Sequence, residues 1–299
     1  MTSADLINGL GQIPGAGTLL RWWARRYREG SVVSIARGCA AGMKWRRHHR
    51  YVNGYWIGIY ELPLQRAIAR ELECGNVFYD VGANAGFFSV LGARRVGPTG
   101  HVFSFEPMPE NIESVREQIS VNELDRCELI TKAVSDRSGN TSLILTDSNS
   151  SAHISAVANP GTGTGRRELV IETVSLDEFA VDHPSPDFIK IDVEGAETEV
   201  LAGASGLLGS AHPPRLLIEL HGREKALGVE SILSSFGYSL TDLSGNALPY
   251  GAADEHHILA YPKRNCEFRI SNCELPEVQI ARSHSEARNS QFEFSSWGF

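Results

Sequence analysis

The chain has 299 residues, 42% of them hydrophobic, enough for a real core and too many for wholesale disorder. A formal net charge of −8 speaks against nucleic acid as a partner, because phosphate binding draws on clustered Lys and Arg. The five cysteines are odd in number and form no C-x-x-C pair, which argues against a disulfide framework or a zinc site and for reduced thiols in a cytoplasmic protein.

Residues 1–60 read as an irregular, basic and aromatic extension. Residues 1–50 carry nine Lys and Arg against Asp5 and Glu29. The stretch Leu19 to Tyr27 suits a helix, and Trp22, Trp23, Tyr27, Tyr51, Tyr55 and Trp56 could stack on an acceptor as a cap or dock peripherally on a membrane through residues 1–50. No run approaches the roughly 18 apolar residues of a membrane helix, and no secretory signal is read. Residues 61–262 then alternate. A helix over 61–73 leads to strand 76–81, helix 85–95, strand 101–105, helix 110–122 and strand 127–134. Two further strands, 141–145 and 168–174, form an inserted hairpin around a polar loop, 146–165, long enough to act as a lid. Strand 188–193, helix 196–208, strand 215–220, helix 224–236 and strands 238–241 and 257–261 complete a doubly wound α/β pattern. The tail, 263–299, is polar and carries no assignment.

Three motifs stand at predicted strand tips, where such a fold binds its ligand. The first is Asp80-Val81-Gly82-Ala83-Asn84-Ala85-Gly86. Gly82 admits a close ligand approach, and Gly86 lets the helix pack near the strand. The spacing differs from the dinucleotide G-x-G-x-x-G, so no pyrophosphate is implied. The second is Glu106, able to accept both hydroxyls of a ribose, with Ser135 and Asp136 extending the same edge toward a base. The third is Ile189-Lys190-Ile191-Asp192-Val193-Glu194-Gly195-Ala196-Glu197. Asp192 and Glu194 could face donor and acceptor. Lys190 must snorkel or pair, and Glu197 suits the positive start of a helix.

These blocks, with ETVSLDEF at 172–179, resemble the FkbM family of S-adenosylmethionine-dependent methyltransferases over residues 54–261. The resemblance implies a Rossmann-like, seven-stranded, mostly parallel sheet with an antiparallel last strand. It implies O-methylation of small hydroxylated molecules, sugars included. It also implies that Asp80, Gly82, Asn84 and Gly86 border the methionine end of the donor, that Glu106 holds the ribose and that Asp136 lies near adenine.

Methyl transfer to an alcohol needs in-line alignment and a base. His221, after the fifth strand, should share a face with Glu219 and lie near Asp192 and Glu194. His153, in the long loop, is the second candidate base. Either would lose activity below neutral pH. His256 and His257 read as structural, and His48-His49 as a solvated run. Asp192, Glu194, Glu219 and His221 would also suit a hard divalent ion. No second acidic pair stands at ligand spacing along the chain, so a metal-free base is preferred. An N- or carboxyl-methyltransferase, or a non-catalytic cofactor-binding module, are the competing readings.

Overall fold

The structure, a computed structural model, describes residues 27–145, 152–154, 167–251 and 257–263. The basic stretch before Tyr27, most of the expected lid and the tail lie outside these residues. Among the described residues, no helix is long and apolar enough to cross a membrane.

The first described elements are β1 (Val32–Ser34), β2 (Lys44–Arg46), α1 (Gly54–Ile57) and α2 (Leu62–Glu71). The apolar runs at 77–81 and 101–105 form β3 (Val77–Val81) and β4 (His101–Phe105), joined by α3 (Phe87–Val96). Next come α4 (Pro109–Val121), β5 (Cys127–Ile130), β6 (Ala133–Val134), β7 (Gly139–Leu145), β8 (Ala152–Ile154) and β9 (Arg167–Val174). The chain continues through α5 (Leu176–Asp182), β10 (Phe188–Ile191), α6 (Glu197–Ala202), α7 (Ser205–Leu208) and β11 (Arg215–Glu219). It ends in α8 (Arg223–Ser235), β12 (Tyr238–Thr241), β13 (Ala247–Leu248) and β14 (His257–Pro262).

The main sheet has eight strands in the order β13-β12-β14-β11-β10-β3-β4-β5. The pairs β11–β10, β10–β3, β3–β4 and β4–β5 are parallel, and β14 runs antiparallel to β11 and β12. This is the expected α/β sheet with its antiparallel strand, extended by β13 at one edge. Strand β10, apolar except for Lys190, is buried along its whole length, as expected of a strand covered on both faces. From β3 the chain moves outward to β4 on one side, while β10 lies on the other. Strand order therefore reverses between β3 and β10, which opens a crevice at their C-terminal ends.

Several elements differ from the sequence pattern. The third strand divides where polar Thr131-Lys132 interrupts its apolar residues. Its second half, β6, leaves the main sheet and pairs with β9, and the inserted hairpin is a four-stranded sheet in the order β6-β9-β7-β8. Helix 196–208 is two short helices separated at Gly203 and Ala204, and Gly203 lies against Ser135: a Cβ there would come within 2.1 Å of the Ser135 carbonyl oxygen. The additional helix α5 starts at Ser175, whose hydroxyl accepts from Glu178 N–H at 3.3 Å, with Asp177 and Glu178 in the first turn.

Much of the aromatic extension is core. Trp45 is 1% exposed and packs on Tyr55 and Phe87, with ring centroids 5.1 and 5.9 Å away. Two amides of α4 complete the backbone pairing of β2. Gln118 accepts from Arg46 N–H at 2.8 Å and donates to Arg46 C=O at 2.9 Å. Asn122 does the same at Lys44, at 2.7 and 2.8 Å. His48, read as solvated, meets Glu117 at 2.5 Å and Glu29 at 3.1 Å. Trp45→Ala should therefore cost about 3–5 kcal/mol of stability, the range for a buried large aromatic. Urea denaturation checks this, and a loss below about 1 kcal/mol would remove the segment from the core.

Candidate active site

The crevice between β3 and β10 opens into a pocket enclosing about 950 Å³ of empty space, part of it open to solvent. Of the residues singled out in the sequence, Gly82, Asn84, Glu106, Asp192, Glu194 and Glu219 line it; Asp80, Gly86, Ser135, Asp136 and His221 do not.

The glycine turn is shaped first by the protein itself. Gly82 has φ +79°, and a Cβ there would sit 1.8 Å from the Asp192 carbonyl oxygen. The closest obstacle to a side chain is thus the neighbouring strand, so Gly82→Val would perturb folding before it perturbed a ligand. Gly86, at φ +90°, has Val115 of α4 within 3.2 Å of its would-be Cβ, so the packing it permits is onto a helix and not onto β3. Asn84 adopts φ +50° and turns its N–H onto Glu106 Oε2 at 2.8 Å.

Beneath the turn lies a buried ionic trio. Lys190 is 1% exposed, with Nζ 3.5 Å from Asp80 Oδ1, 3.2 Å from Asp192 Oδ2 and donating to Gly82 C=O at 3.2 Å. Burial works against its charge, but the two carboxylates prevail and raise its pKa. It pairs and does not snorkel. Asp80 is wholly buried, accepts from Ser89 Oγ at 2.6 Å and supports the pocket floor from below. Burial raises the pKa of Asp192 against the opposing pull of Lys190.

Toward β4 the pocket is mostly apolar, walled by Val81, Phe105, Met108, Ala133 and Val134. Glu106 sits here at 4% exposure, and burial pushes its carboxyl up to about 7. Besides Asn84, Met108 N–H and Asn111 Nδ2 donate to its Oε1, at 2.9 and 3.3 Å. Tyr51 in turn donates to Asn111 Oδ1 at 2.8 Å. A slot with one deep carboxyl and apolar walls fits a nucleoside. Ser135 and Asp136 follow β6 out of the main sheet, and Asp136 pairs with Arg137 at 2.9 Å. The chain's departure at Thr131-Lys132 replaces them along this wall with Lys132, Ala133 and Val134.

Toward β11 the pocket is acidic, lined by Tyr60, Glu61, Asp192, Glu194 and Glu219. Since β11 pairs with β10, His221 arrives beside them, its Nε2 3.4 Å from Glu194 and 3.7 Å from Glu219. Its Nδ1 meets Glu197 Oε1 at 2.7 Å. Glu197 is wholly buried and also accepts from Gly195 N–H at 2.8 Å, so its task extends beyond helix polarity. The Glu197 hydrogen bond raises the His221 pKa to about 9. Glu219 is held down to about 2: burial alone would raise it, but the hydrogen bond and charge of His257, then His221, outweigh burial. The backbone of His153 lies on β8 opposite Ile144, and its side chain is outside the described residues.

Asp192, Glu219 and His221 bring ligand atoms within 4.8 Å of one another. These are three of the four residues that the sequence offered as a divalent-ion set; they come from two neighbouring strands, which no linear spacing records. Lys190 Nζ lies 3.2 Å from Asp192 and compensates it, and His257 Nε2 lies 3.4 Å from Glu219. Tyr60, Glu61, Met108, Asn111 and Lys132 were not singled out from the sequence. Met108 and Asn111 follow Glu106 closely in the chain, but nothing local marked them for a role.

The profile of the methyltransferase FkbM domain matches residues 80–240. The chain is 29% identical over 184 residues to the hexuronic acid methyltransferase AglP of Haloferax volcanii, covering 58% of this chain and 68% of that protein. It is 27% identical over 201 residues to the 2-O-methyltransferase NoeI of Sinorhizobium fredii, covering 62% of this chain and 76% of that one. A solved methyltransferase FkbM from Methylobacillus flagellatus KT aligns at 19% identity and a TM-score of 0.41, over 71% of this chain and 56% of the other.

Removing the buried cation should be severe. Lys190→Met leaves Asp80 and Asp192 without their counter-charge and should cost about 3–5 kcal/mol, the range for breaking a buried ion pair by deleting one partner. Chemical denaturation measures it, and near wild-type stability would show that the trio is not holding the strand tips.

Proposed function

The chain belongs to the methyltransferase FkbM family, and from that membership we propose that it methylates a hydroxyl of a small polar acceptor, a sugar or another hydroxylated metabolite. It is an S-adenosylmethionine-dependent methyltransferase. The named activities of AglP and NoeI support a sugar hydroxyl as acceptor. The donor, when bound, supplies a methyl group on a sulfonium. The apolar slot with Glu106 at its base suits the nucleoside of that donor, and the neighbouring carboxylates suit its positive sulfonium and ammonium.

The observation that carries the hydroxyl reading is the His221–Glu197 pair at 2.7 Å, beside pocket-lining Glu194 and Glu219. An alcohol is a poor nucleophile until its proton is taken, whereas a carboxylate acceptor would need no base. On this reading the neutral His221 accepts the proton on Nε2 while Glu197 holds the ring through Nδ1. Asp192 and Glu194 flank the proton's path. A base must be unprotonated, and Glu197 stabilises the protonated ring. The rising limb of the rate profile accordingly moves from the ordinary histidine range, near 6.5, up toward 9. That replaces the sequence expectation of a limb just below neutrality. Tyr60 on the pocket wall supports part of the extension as acceptor cover.

A second reading places a divalent ion on Asp192, Glu219 and His221, whose ligand atoms are close enough together. The compensation of Asp192 by Lys190 favours the metal-free base.

His221→Ala should lower kcat by on the order of a hundredfold to ten-thousandfold and leave donor affinity near wild type. In the wild type, kcat/KM should climb with pH and level off near 9. Full activity in His221→Ala, or a limb at pH 6, would remove His221 as base. Chelator should leave the rate unchanged; its loss, with recovery on magnesium or manganese, would move the role to an ion.

Glu106→Gln should weaken donor binding by roughly tenfold to a hundredfold, because hydrogen bonds to a charged acceptor are lost. The ribose hydroxyls favour the ionised carboxyl, so wild-type affinity should fall as pH drops below about 7, and the variant should lose that dependence. Calorimetry across pH measures both. Equal affinity of wild type and variant at every pH would take Glu106 out of the donor site.

A further inference from the structure

Glu61 belongs to none of the family-like blocks, yet its carboxylate lines the pocket beside Asp192 and Glu219. Burial raises its pKa, a hydrogen bond from the Tyr60 side chain opposes this, and the negative charges of Glu219 and Asp192 add to the rise. Its backbone is left-handed, at φ +42° and ψ +54°, a conformation few non-glycine residues adopt. The turn is built to hold it there. Wholly buried Gln65 donates through Nε2 to Tyr60 C=O and to Gly58 C=O, while its Oε1 accepts from Cys39 N–H at 3.0 Å. Gln65 N–H also donates to Glu61 C=O at 3.0 Å. Glu61 Oε2 is buried and has no hydrogen-bond partner among the described residues. An acceptor oxygen so placed calls for a donor from a ligand.

Carboxylates predominate around it. The cations at this end have carboxylates of their own: Lys190 has Asp80 and Asp192, and His221 has Glu197 and Glu194; the His257 imidazole lies 3.4 Å from Glu219. Glu61 adds a further carboxylate without adding a cation. Lys132 lines the opposite, β6 side of the pocket and pairs with Glu172 at 3.1 Å. A carboxylate brought by the acceptor would meet like charge, and like charges in juxtaposition discriminate strongly.

We propose that Glu61 reads the charge of the acceptor, taking a hydroxyl or ammonium hydrogen of a neutral or amino sugar and turning away a sugar that carries a carboxylate. This rests on the sugar-hydroxyl reading above and goes further by naming the residue that selects the sugar and a class of sugar unlike the hexuronic acid in the name of the relative AglP. The hydrogen of the bound group supplies the bond that Oε2 lacks, whereas a carboxylate has none to give.

The test uses the full chain saturated with S-adenosylhomocysteine and three matched probes: the methyl glycosides of glucose, glucosamine and glucuronic acid. Calorimetry gives their affinities without turnover. A parallel assay with S-adenosylmethionine identifies the methylated atom. The glucuronide should bind the wild type at least about tenfold more weakly than the other two. Glu61→Gln should narrow that gap and Glu61→Lys should reverse it, with retained donor binding showing that the variants are folded. A glucuronide bound equally or better by the wild type overturns the proposal, as does a gap that neither folded variant moves. If the sugars bind in the expected order and none is methylated on oxygen, the O-methylation reading falls and the charge selection stands. If none binds, the selection falls.

Discussion

Lys190 stands in the middle of an otherwise apolar strand, enclosed by Asp80, Asp192 and the Gly82 carbonyl. It is paired in register with Asp80 across β3–β10, so one ammonium ties together the two strands between which the sheet changes direction. Burying charges is expensive, and such a group is tolerated only when its partners are correctly placed. The trio therefore specifies how the β3 and β10 tips meet more than it adds stability. Gly82 follows from the same constraint, since the Asp192 carbonyl occupies the space where a side chain would begin.

Above that anchor the pocket has two electrostatic characters. Toward β4, burial among apolar side chains pushes the Glu106 carboxyl up to about 7 against the pull of its protein donors. Toward β11, carboxylates and histidines are close enough to bias one another strongly, with Glu219 held ionised and His221 held protonated. A donor with a nucleoside at one end and positive charge at the other suits both halves. The same field makes the histidine–glutamate pair a stronger but more alkaline base than an isolated imidazole.

The segment before α2 joins these parts physically. Trp45 and Tyr55 pack on Phe87 at the start of α3, and Tyr51 braces Asn111, which donates to Glu106. Gln118, Asn122 and Gln65 satisfy backbone groups that no strand partner reaches. Hence a segment with weak periodicity is held by side-chain amides and aromatic packing, and it carries Tyr60 and Glu61 to the pocket wall.

The sequence by itself determined the alternating α/β architecture, the positions of β3, β4 and β10 and the placement of Gly82, Glu106 and Asp192 near strand tips. Unbroken apolar runs and the turns after them are local signals, and strands buried on both faces leave little freedom in how they are read. It did not determine that Ser135 and Asp136 leave the main sheet, because pairing of β6 with β9 is a contact between distant residues. The approach of Glu219 and His221 to Asp192 followed from strand order, but the Glu197–His221 bond and Glu61 across the pocket did not. Those depend on neighbouring strands and a far turn meeting in space, and the ionisation of each group then depends on burial and on charges that arrive from elsewhere in the chain. Tertiary structure alone decided them, because both distance and desolvation are properties of the packed molecule and not of any stretch of its sequence.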